Sequence, residues 1–217
     1  MSNITLYGYW RSSAAYRVRI ALNHKGLAYQ KKSVHLVKNG GEQHASDFKS
    51  LNPSQLVPVL VDGDMQLNQS LAIIDYLDET YPTALLTPLD KQKRYLVKAL
   101  AQDIAVDIHP LNNLRVLKYL TGELSLEESC KSDWYKHWIL LGFEGLEQKL
   151  TKSRGTYCVG NEVSLVDICL IPQVYNAERF DVDLTSFPII REVSAALREL
   201  PAFIDAAPEK QPDAVIG

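Results

Sequence analysis

The sequence contains few cysteines, and their spacing excludes the sites that cysteines usually build. Its 217 residues include three of them, Cys130, Cys158 and Cys169, an odd number with no Cys-x-x-Cys pair. This pattern argues against a structural zinc site and against a secreted fold held together by disulfides. We therefore expect no metal site, a cytoplasmic location, and cysteines that pack as small buried hydrophobic side chains.

The chain also lacks an excess of positive charge and a long apolar segment. Its 23 lysines and arginines are outnumbered by 26 acidic residues, so the formal net charge is −3 and non-specific binding to nucleic acid is not expected. No apolar run approaches the length that crosses a bilayer. The first residues, MSNITLYGYW, have neither the basic nor the apolar segment of a secretory signal. We expect neither a nucleic-acid partner nor a membrane partner.

What the first part of the chain does contain is an alternation of short strands and helices. The runs ITLYGY, YQKKSVHL and VPVLVDGDMQL are typical of strands, and Asp62-Gly63-Asp64 within the last run indicates a tight hairpin. The runs AAYRVRIALNHKG and QSLAIIDYLDETYP have helical periodicity and end at Gly26 and near Pro82. The order β-α-β, loop, β-β-α predicts a mixed sheet with helices packed on it.

The second part of the chain, after the proline-containing linker PTALLTPLD, is predicted to be helical. Periodic runs cover Lys91 to Tyr119, Asp133 to Leu150, GNEVSLVDICLIPQVYNAERF and PIIREVSAALREL. Pro110 indicates a bend within the first of these runs. The third run is apolar nearly all round, which predicts a central buried helix, and Ser164 and Asp167 at its start predict a capping box. We therefore expect an α/β domain over residues 1–82 and an all-α domain over residues 88–217.

The segment GYWRSSAAYRVRIAL places Arg11, Ser12 and Ser13 at the junction between the first strand and the first helix. Serine is a common helix N-cap, so one interpretation of the pair is purely structural. The other is that the hydroxyls and the free N–H groups of the helix hold an anion or stabilise a thiolate. The residues by themselves leave both interpretations open.

Several motifs together give the sequence a family resemblance. In chain order they are SSAAYRVRIAL, NPSQLVPVL, NQSLAIIDYLDETYP, IHPLNNLRVLKYL, YCVGNEVSLVDICLIPQVYNAERF and the closing QPD. They resemble the zeta class of glutathione transferases, the family of maleylacetoacetate and maleylpyruvate isomerases, across essentially the whole chain. The resemblance implies the cytosolic glutathione transferase architecture, with a thioredoxin-like N-terminal domain and an all-helical C-terminal domain. It also implies glutathione as cofactor and a homodimer.

One position departs from the family signature. The family usually has a cysteine after the second serine, and this chain has Ala14. A protein thiol at this point is therefore not required, and the resemblance implies that the working thiol belongs to glutathione.

The activity that the resemblance implies is a glutathione-dependent cis–trans isomerisation in tyrosine, phenylalanine or other aromatic catabolism. It converts maleylacetoacetate to fumarylacetoacetate, or maleylpyruvate to fumarylpyruvate, by reversible addition of a thiolate to the double bond. Two alternatives stay open. The chain could be a glutathione transferase that acts on α-halo acids, or a non-catalytic transferase-like binding module.

The resemblance also implies roles for particular residues. Ser12 is expected to face the glutathione sulfur with Ser13 in support, and Val57, before a cis Pro58, to pair with the glutathione backbone. The residues expected to contact glutathione are Ser12, Ser13, Gln43, Val57, Gln69, Ser70, His109, Asn113 and Arg115. A small dianionic maleyl substrate needs cations, for which Arg11, Arg115 and Arg179 are the candidates.

Structural roles remain open for several of the same residues. Ser70 would look the same as a plain N-cap, and Arg179 could pair with Glu178 or contact carbonyls at its helix end. We interpret Arg17 and Arg19 as structural or interface residues. Tyr7 and Tyr9 are expected to pack or to line the pocket.

Overall fold

The computed structural model describes residues 4–215, and these form two compact units. The first unit contains the residues up to Leu86 together with those from Glu199 onward, and the second runs from Thr87 to Arg198. The last segment of the chain thus lies in a different unit from the one predicted. Apolar and polar contacts both anchor it there: Phe203 and Ala206 are buried, and the buried Arg19 donates from Nε to the carbonyl oxygen of Ala206 at 3.0 Å.

The first unit is built on a four-stranded mixed sheet, as predicted. Its strands are β1 (Ile4–Gly8), β2 (Gln30–Ser33), β3 (Val59–Asp62) and β4 (Met65–Asn68), in the spatial order β2-β1-β3-β4. Strand β1 runs parallel to β2 and antiparallel to β3, and β3 pairs antiparallel with β4. The predicted tight hairpin is confirmed, since Asp62 pairs with Met65 and Gly63 between them has a positive φ of 58°.

Helices cover this sheet. They are α1 (Ser13–His24), α2 (Ser46–Leu51) and α3 (Ser70–Thr80). Helix α1 is buried on nearly every side, and even Arg17 and Arg19 are 2% and 4% exposed. Long buried arginines need polar partners inside the protein. Arg17 therefore bonds to Ser70, and Arg19 bonds to backbone carbonyl oxygens.

The second unit is helical, as predicted. Its α-helices are α4 (Lys91–Gln102), α5 (Leu114–Gly122), α6 (Glu128–Ser153), α7 (Leu165–Arg179) and α8 (Pro188–Arg198). The predicted run from Lys91 to Tyr119 is interrupted by a π-helical turn, Asp103–Ile108, and a 3₁₀ turn, His109–Asn112. Pro110 lacks an N–H and cannot donate in an α-helical ladder, which accounts for a break at this point.

The prediction of a central buried helix with a capping box is confirmed for α7. The backbone N–H and the hydroxyl of Ser164 both donate to Oδ2 of Asp167, each at 2.8 Å. The N–H of Cys158 donates to Oδ1 at 2.9 Å, and Asp167 is fully buried. Burial raises the pKa of Asp167 above its ordinary value, and the hydrogen bonds oppose that rise.

The chain ends on the first unit. Helix α9 (Pro201–Ala206) packs against α1 and is followed by a 3₁₀ turn, Pro208–Lys210, and by Gln211, Pro212 and Asp213. The cysteines are all free: Cys158 and Cys169 are buried as expected, but Cys130 is exposed, so the prediction of a buried side chain is wrong there. Cys130 lies in the first turn of α6, where that helix is still largely solvated. Across residues 4–215, no helix has the length and apolar character needed to cross a membrane.

Candidate active site

The strand register brings several predicted site residues to one edge of the sheet. Strand β1 reaches this edge at Gly8, and the preceding residue, Tyr7, stands opposite Val59, where β3 begins. Val59 also stands opposite Asn68, where β4 ends. The segments just outside these strand ends must therefore lie at the same edge. They contain Ser12 and Ser13 after β1, Val57 before β3, and Gln69 and Ser70 after β4.

Ser12 is the N-cap of α1, and its hydroxyl oxygen accepts a hydrogen bond from the N–H of Ala15 at 3.2 Å. A hydroxyl has two lone pairs and one proton, so this cap leaves the proton available for donation. The structural and the functional interpretations of Ser12 are therefore compatible. Ser13 is the first helical residue and is buried, and Ala14 follows it without any polar group.

Arg11 lies in the turn that leads into Ser12 and is held by two aromatic side chains. The turn is closed by the N–H of Ser12, which donates to the carbonyl oxygen of Tyr9 at 2.9 Å. The Arg11 guanidinium donates to the Tyr9 hydroxyl at 3.2 Å and lies 4.7 Å from the centroid of the Trp10 ring. These contacts restrict Arg11 beside Ser12. Tyr9 is buried and packs edge-on against His35, in line with its predicted packing role.

The peptide bond between Val57 and Pro58 is cis, which confirms that expectation. Val57 is half-buried and packs against the small apolar cluster of Val34, Phe48 and Val59. Within residues 4–215, the backbone N–H and C=O of Val57 have no hydrogen-bond partner. Both groups can therefore form hydrogen bonds with an extended peptide segment.

Ser70 differs from its predicted local role. The N-cap of α3 is Gln69, in the left-handed region at φ 67°, and Ser70 is the first helical residue. The hydroxyl oxygen of Ser70 accepts a hydrogen bond from Arg17 at 3.2 Å instead of capping the helix. A buried guanidinium therefore lies beneath a helix N-terminus, and both features favour a bound carboxylate.

The sequence analysis interpreted Arg17 as structural and did not predict its contact with Ser70 at the candidate carboxylate site. The only signal in the sequence was the position of Arg17 within the SSAAYRVRIAL motif. The motif does not reveal that its partner is Ser70, because the two residues are 53 positions apart.

Gln43 is buried and belongs to a chain of polar contacts at the rim of the first unit. Its Nε2 lies 3.0 Å from Nε2 of His44, and Nδ1 of His44 lies 2.7 Å from Oε1 of Gln55. With Nδ1 protonated, His44 donates to Gln55 and accepts from Gln43. His44 and Gln55 were not predicted from the sequence. They tie Gln43 to the segment that precedes Val57.

The other predicted glutathione residues lie on the second unit. His109 begins the 3₁₀ turn and is half-buried. Asn113 caps α5, and its Oδ1 accepts from the N–H of Arg115 at 3.1 Å. The Arg115 side chain is exposed in the first turn of α5, where the helix dipole disfavours a cation. Its charge does not stabilise the helix and is free to serve a ligand.

Arg179 does not form the ion pair with Glu178 that the sequence left open. Glu178 binds Arg198 through two hydrogen bonds of 2.8 and 2.6 Å. Arg179 ends α7, is exposed, and lies 4.8 Å from the centroid of the Phe180 ring. Phe180 in turn stacks on the buried Tyr135. Arg179 is thus a cation placed on an aromatic platform.

Comparisons with known proteins identify the family of the chain. Residues 2–79 match the family model described as the glutathione S-transferase N-terminal domain. A protein of Vibrio cholerae named probable maleylacetoacetate isomerase is 62% identical over 214 residues, which cover 99% of this chain and 100% of the relative.

Two solved structures are similar along the whole length. The holo structure of a maleyl pyruvate isomerase, described as a bacterial glutathione S-transferase of the zeta class, has a TM-score of 0.94 at 47% identity and covers 97% of this chain and 100% of that one. The maleylacetoacetate isomerase of Methylobacterium extorquens AM1, solved with bound malonate and GSH, has a TM-score of 0.92 at 39% identity, covering 98% and 100%.

Proposed function

The chain belongs to the zeta-class glutathione transferases, the maleylacetoacetate isomerase family, and we propose that it isomerises maleylacetoacetate to fumarylacetoacetate with glutathione as cofactor. The observation that carries this proposal is the Ser12 hydroxyl at the sheet edge shared by Val57, Gln69 and Ser70, in a chain 62% identical to such an isomerase along its full length. Glutathione supplies the thiolate that adds to the double bond and later leaves.

The residues of the first unit fit glutathione in three places. The Ser12 proton is available to a sulfur atom, since the helix cap uses only a lone pair of the oxygen. The backbone of Val57 offers an N–H and a C=O to the cysteinyl part. Ser70, with Arg17 beneath it, offers a cationic helix N-terminus to the γ-glutamyl carboxylate, and Gln69 adjoins it.

Five further residues complete the proposed cofactor contacts. Ser13 supports Ser12, and Gln43 lies towards the glycyl end. His109, Asn113 and Arg115 contribute from the second unit.

The proposed work of Ser12 is to hold the thiol in its ionised form. A free thiol has a pKa near ~8.5 and is mostly protonated at neutral pH. A hydrogen bond donated by Ser12, together with the N-terminus of α1, favours the charged form and lowers that pKa. Ala14 adds no competing thiol, so the activity depends on added glutathione.

We assign recognition of the substrate carboxylates to Arg11, Arg115 and Arg179. A dianion needs local cations in a protein whose formal net charge is −3. Arg11 is restrained beside Ser12, whereas Arg115 and Arg179 are exposed on the second unit. A guanidinium can bind a carboxylate through two parallel hydrogen bonds.

A homodimer and a cytoplasmic location complete the proposal. Leu89, Tyr95 and Val106 expose large apolar surfaces on the second unit, which supports self-association. The free cysteines are compatible with a reducing compartment. Sedimentation measured over a range of concentrations tests the dimer, and a monomer at all of them contradicts it.

The activity is tested by assaying the purified chain with maleylacetoacetate and with maleylpyruvate, each with and without glutathione. We expect isomerisation that requires glutathione without consuming it, and faster turnover of maleylacetoacetate. Dichloroacetate serves as the control for an α-halo acid transferase. Absence of isomerisation of both maleyl substrates contradicts the proposal, and no stabilisation by glutathione in thermal melting indicates a non-catalytic module.

A further inference from the structure

The turn from Tyr9 to Ser12 has its backbone pinned from two directions. The N–H of Trp10 donates to Oδ2 of Asp213 at 3.1 Å, so the far end of the chain reaches this turn. On the other side, Arg19 donates to the carbonyl oxygens of Trp10 and Tyr9 at 2.9 and 3.4 Å. The polar backbone groups at the centre of the turn are thus fixed by side chains outside it.

Asp213 is itself held in place by the sheet. The hydroxyl of Ser33, at the end of β2, donates to the same Oδ2 atom at 2.9 Å. One carboxylate oxygen therefore joins the last residue of a strand to the turn that carries Ser12. The carboxylate is the acceptor in both bonds.

Gln211 locks the segment that presents Asp213. Its Oε1 accepts from Lys31 of β2 at 2.9 Å. Its Nε2 donates to the carbonyl oxygens of Ala207 and Asp205 at 2.7 and 3.1 Å. The segment is thereby folded back onto the first unit, with Gln211 buried.

The contact between this segment and the turn is polar. A pocket of about 180 Å³ borders β1, β2, the turn and the segment, and Gly8, Trp10, Lys31 and Asp213 contribute to its lining. On this side of the turn, its backbone is held by the hydrogen bonds of Asp213 and Arg19.

We propose that Asp213 is a positioning residue that fixes the turn bearing Arg11 and Ser12, and so aligns the Ser12 hydroxyl with the glutathione sulfur. This inference rests on the proposed function. Asp213 acts through the Trp10 N–H, and Trp10 also supports the Arg11 guanidinium through its ring. A hydrogen bond to a thiolate weakens steeply when its donor is misplaced, so a small displacement of the turn raises the pKa of the bound thiol.

The decisive experiment measures that pKa in the complex with glutathione, from the ultraviolet absorbance of the thiolate as a function of pH. We expect Asp213→Ala to raise the pKa of the bound thiol by about one unit and to lower kcat about tenfold at neutral pH. Asp213→Asn keeps an acceptor oxygen for Trp10 and should stay close to the parent chain. Asp205→Ala is the matched control, because it removes an exposed carboxylate nearby without a hydrogen bond to the turn.

The pKa separates positioning from mere loss of folded protein, since unfolding a fraction of the molecules lowers the amplitude of the titration and leaves its midpoint unchanged. If Asp213→Ala does not fold, Gln211→Ala loosens the same segment and should shift the midpoint in the same direction. An unchanged midpoint in the folded variant overturns the proposal while the isomerase assignment stands. Failure of the parent chain to bind glutathione or to isomerise overturns both.

Discussion

The guanidinium of Arg17, on α1, donates a hydrogen bond to the hydroxyl of Ser70 at the start of α3, and both residues are buried. The positive charge lies beneath the helix N-terminus that is proposed to bind a carboxylate of glutathione. The carboxylate would therefore be stabilised by the N-terminus of α3, by the Ser70 hydroxyl and by the Arg17 charge, which burial protects from screening by solvent.

Replacing Arg17 by methionine should weaken glutathione binding about tenfold, because a similar length is kept while the charge is lost. Isothermal titration with glutathione measures the change. Ser70→Ala, which removes the hydroxyl and keeps the charge, should have a smaller effect. Equal affinity in the methionine variant and the parent chain would exclude a role of Arg17 in the site.

Replacing Ser12 by alanine should lower kcat by between about tenfold and a hundredfold, the range for one hydrogen bond to a charged group. The lost helix cap should cost about 1 kcal/mol of stability. Loss of the donor raises the pKa of the bound thiol, so the defect should be largest at low pH and shrink as the pH rises above that pKa. Steady-state rates over a pH series measure this, and a pH-independent defect would contradict it. Ser13→Ala, which removes only the supporting hydroxyl, should lower kcat less than Ser12→Ala does.

Replacing Arg11 or Arg179 by alanine should raise KM for the dianionic substrate by about tenfold and lower kcat less. Arg191→Ala, an exposed arginine on α8, controls for the loss of one positive charge from the second unit. Initial-rate measurements at saturating glutathione give both constants. Unchanged KM in both variants would remove these arginines from substrate recognition.

Replacing Asp167 by alanine should destabilise the chain by about 2–4 kcal/mol, because three donors in a buried site lose their acceptor. Urea unfolding measures this, with Ser164→Ala as the milder comparison.

The pH dependence of stability tests the same carboxyl group. Its pKa is raised in the folded state, so between the unfolded and folded pKa values the folded chain binds the extra proton. Asp167 should therefore contribute a fall in stability as pH rises through that window. Asp167→Asn cannot titrate and should remove this contribution, and an identical pH dependence in the two proteins would contradict the assignment.

Local features of the fold were predictable because their signals lie close together in the sequence. Gly63 marks the hairpin, Ser164 and Asp167 mark the start of α7, and Ser12 stands just before an amphipathic helix. The break after Gln102 was less accessible, because the sequence signalled only Pro110 and not the π-helical turn before it.

The site was predictable as a set of residues and not as a set of contacts. The segments around Ser12, Val57 and Ser70 carry recognisable motifs, so their presence could be inferred. The partners Arg17–Ser70 and Trp10–Asp213 are 53 and 203 positions apart, and no local periodicity links them. The same applies to the last segment, whose place in the first unit depends on Arg19 and its bond to Ala206.

The hydrogen bond from Trp10 to Asp213 has a consequence for synthesis of the protein. Trp10 leaves the ribosome among the first residues, whereas its acceptor is translated 203 positions later. The strands and helices of the first unit up to Leu86 can form on the nascent chain long before then. The turn that bears Ser12 gains its hydrogen bond to Asp213 only after the end of the chain has been synthesised. A nascent chain can therefore form its sheet well before its active site is fully ordered.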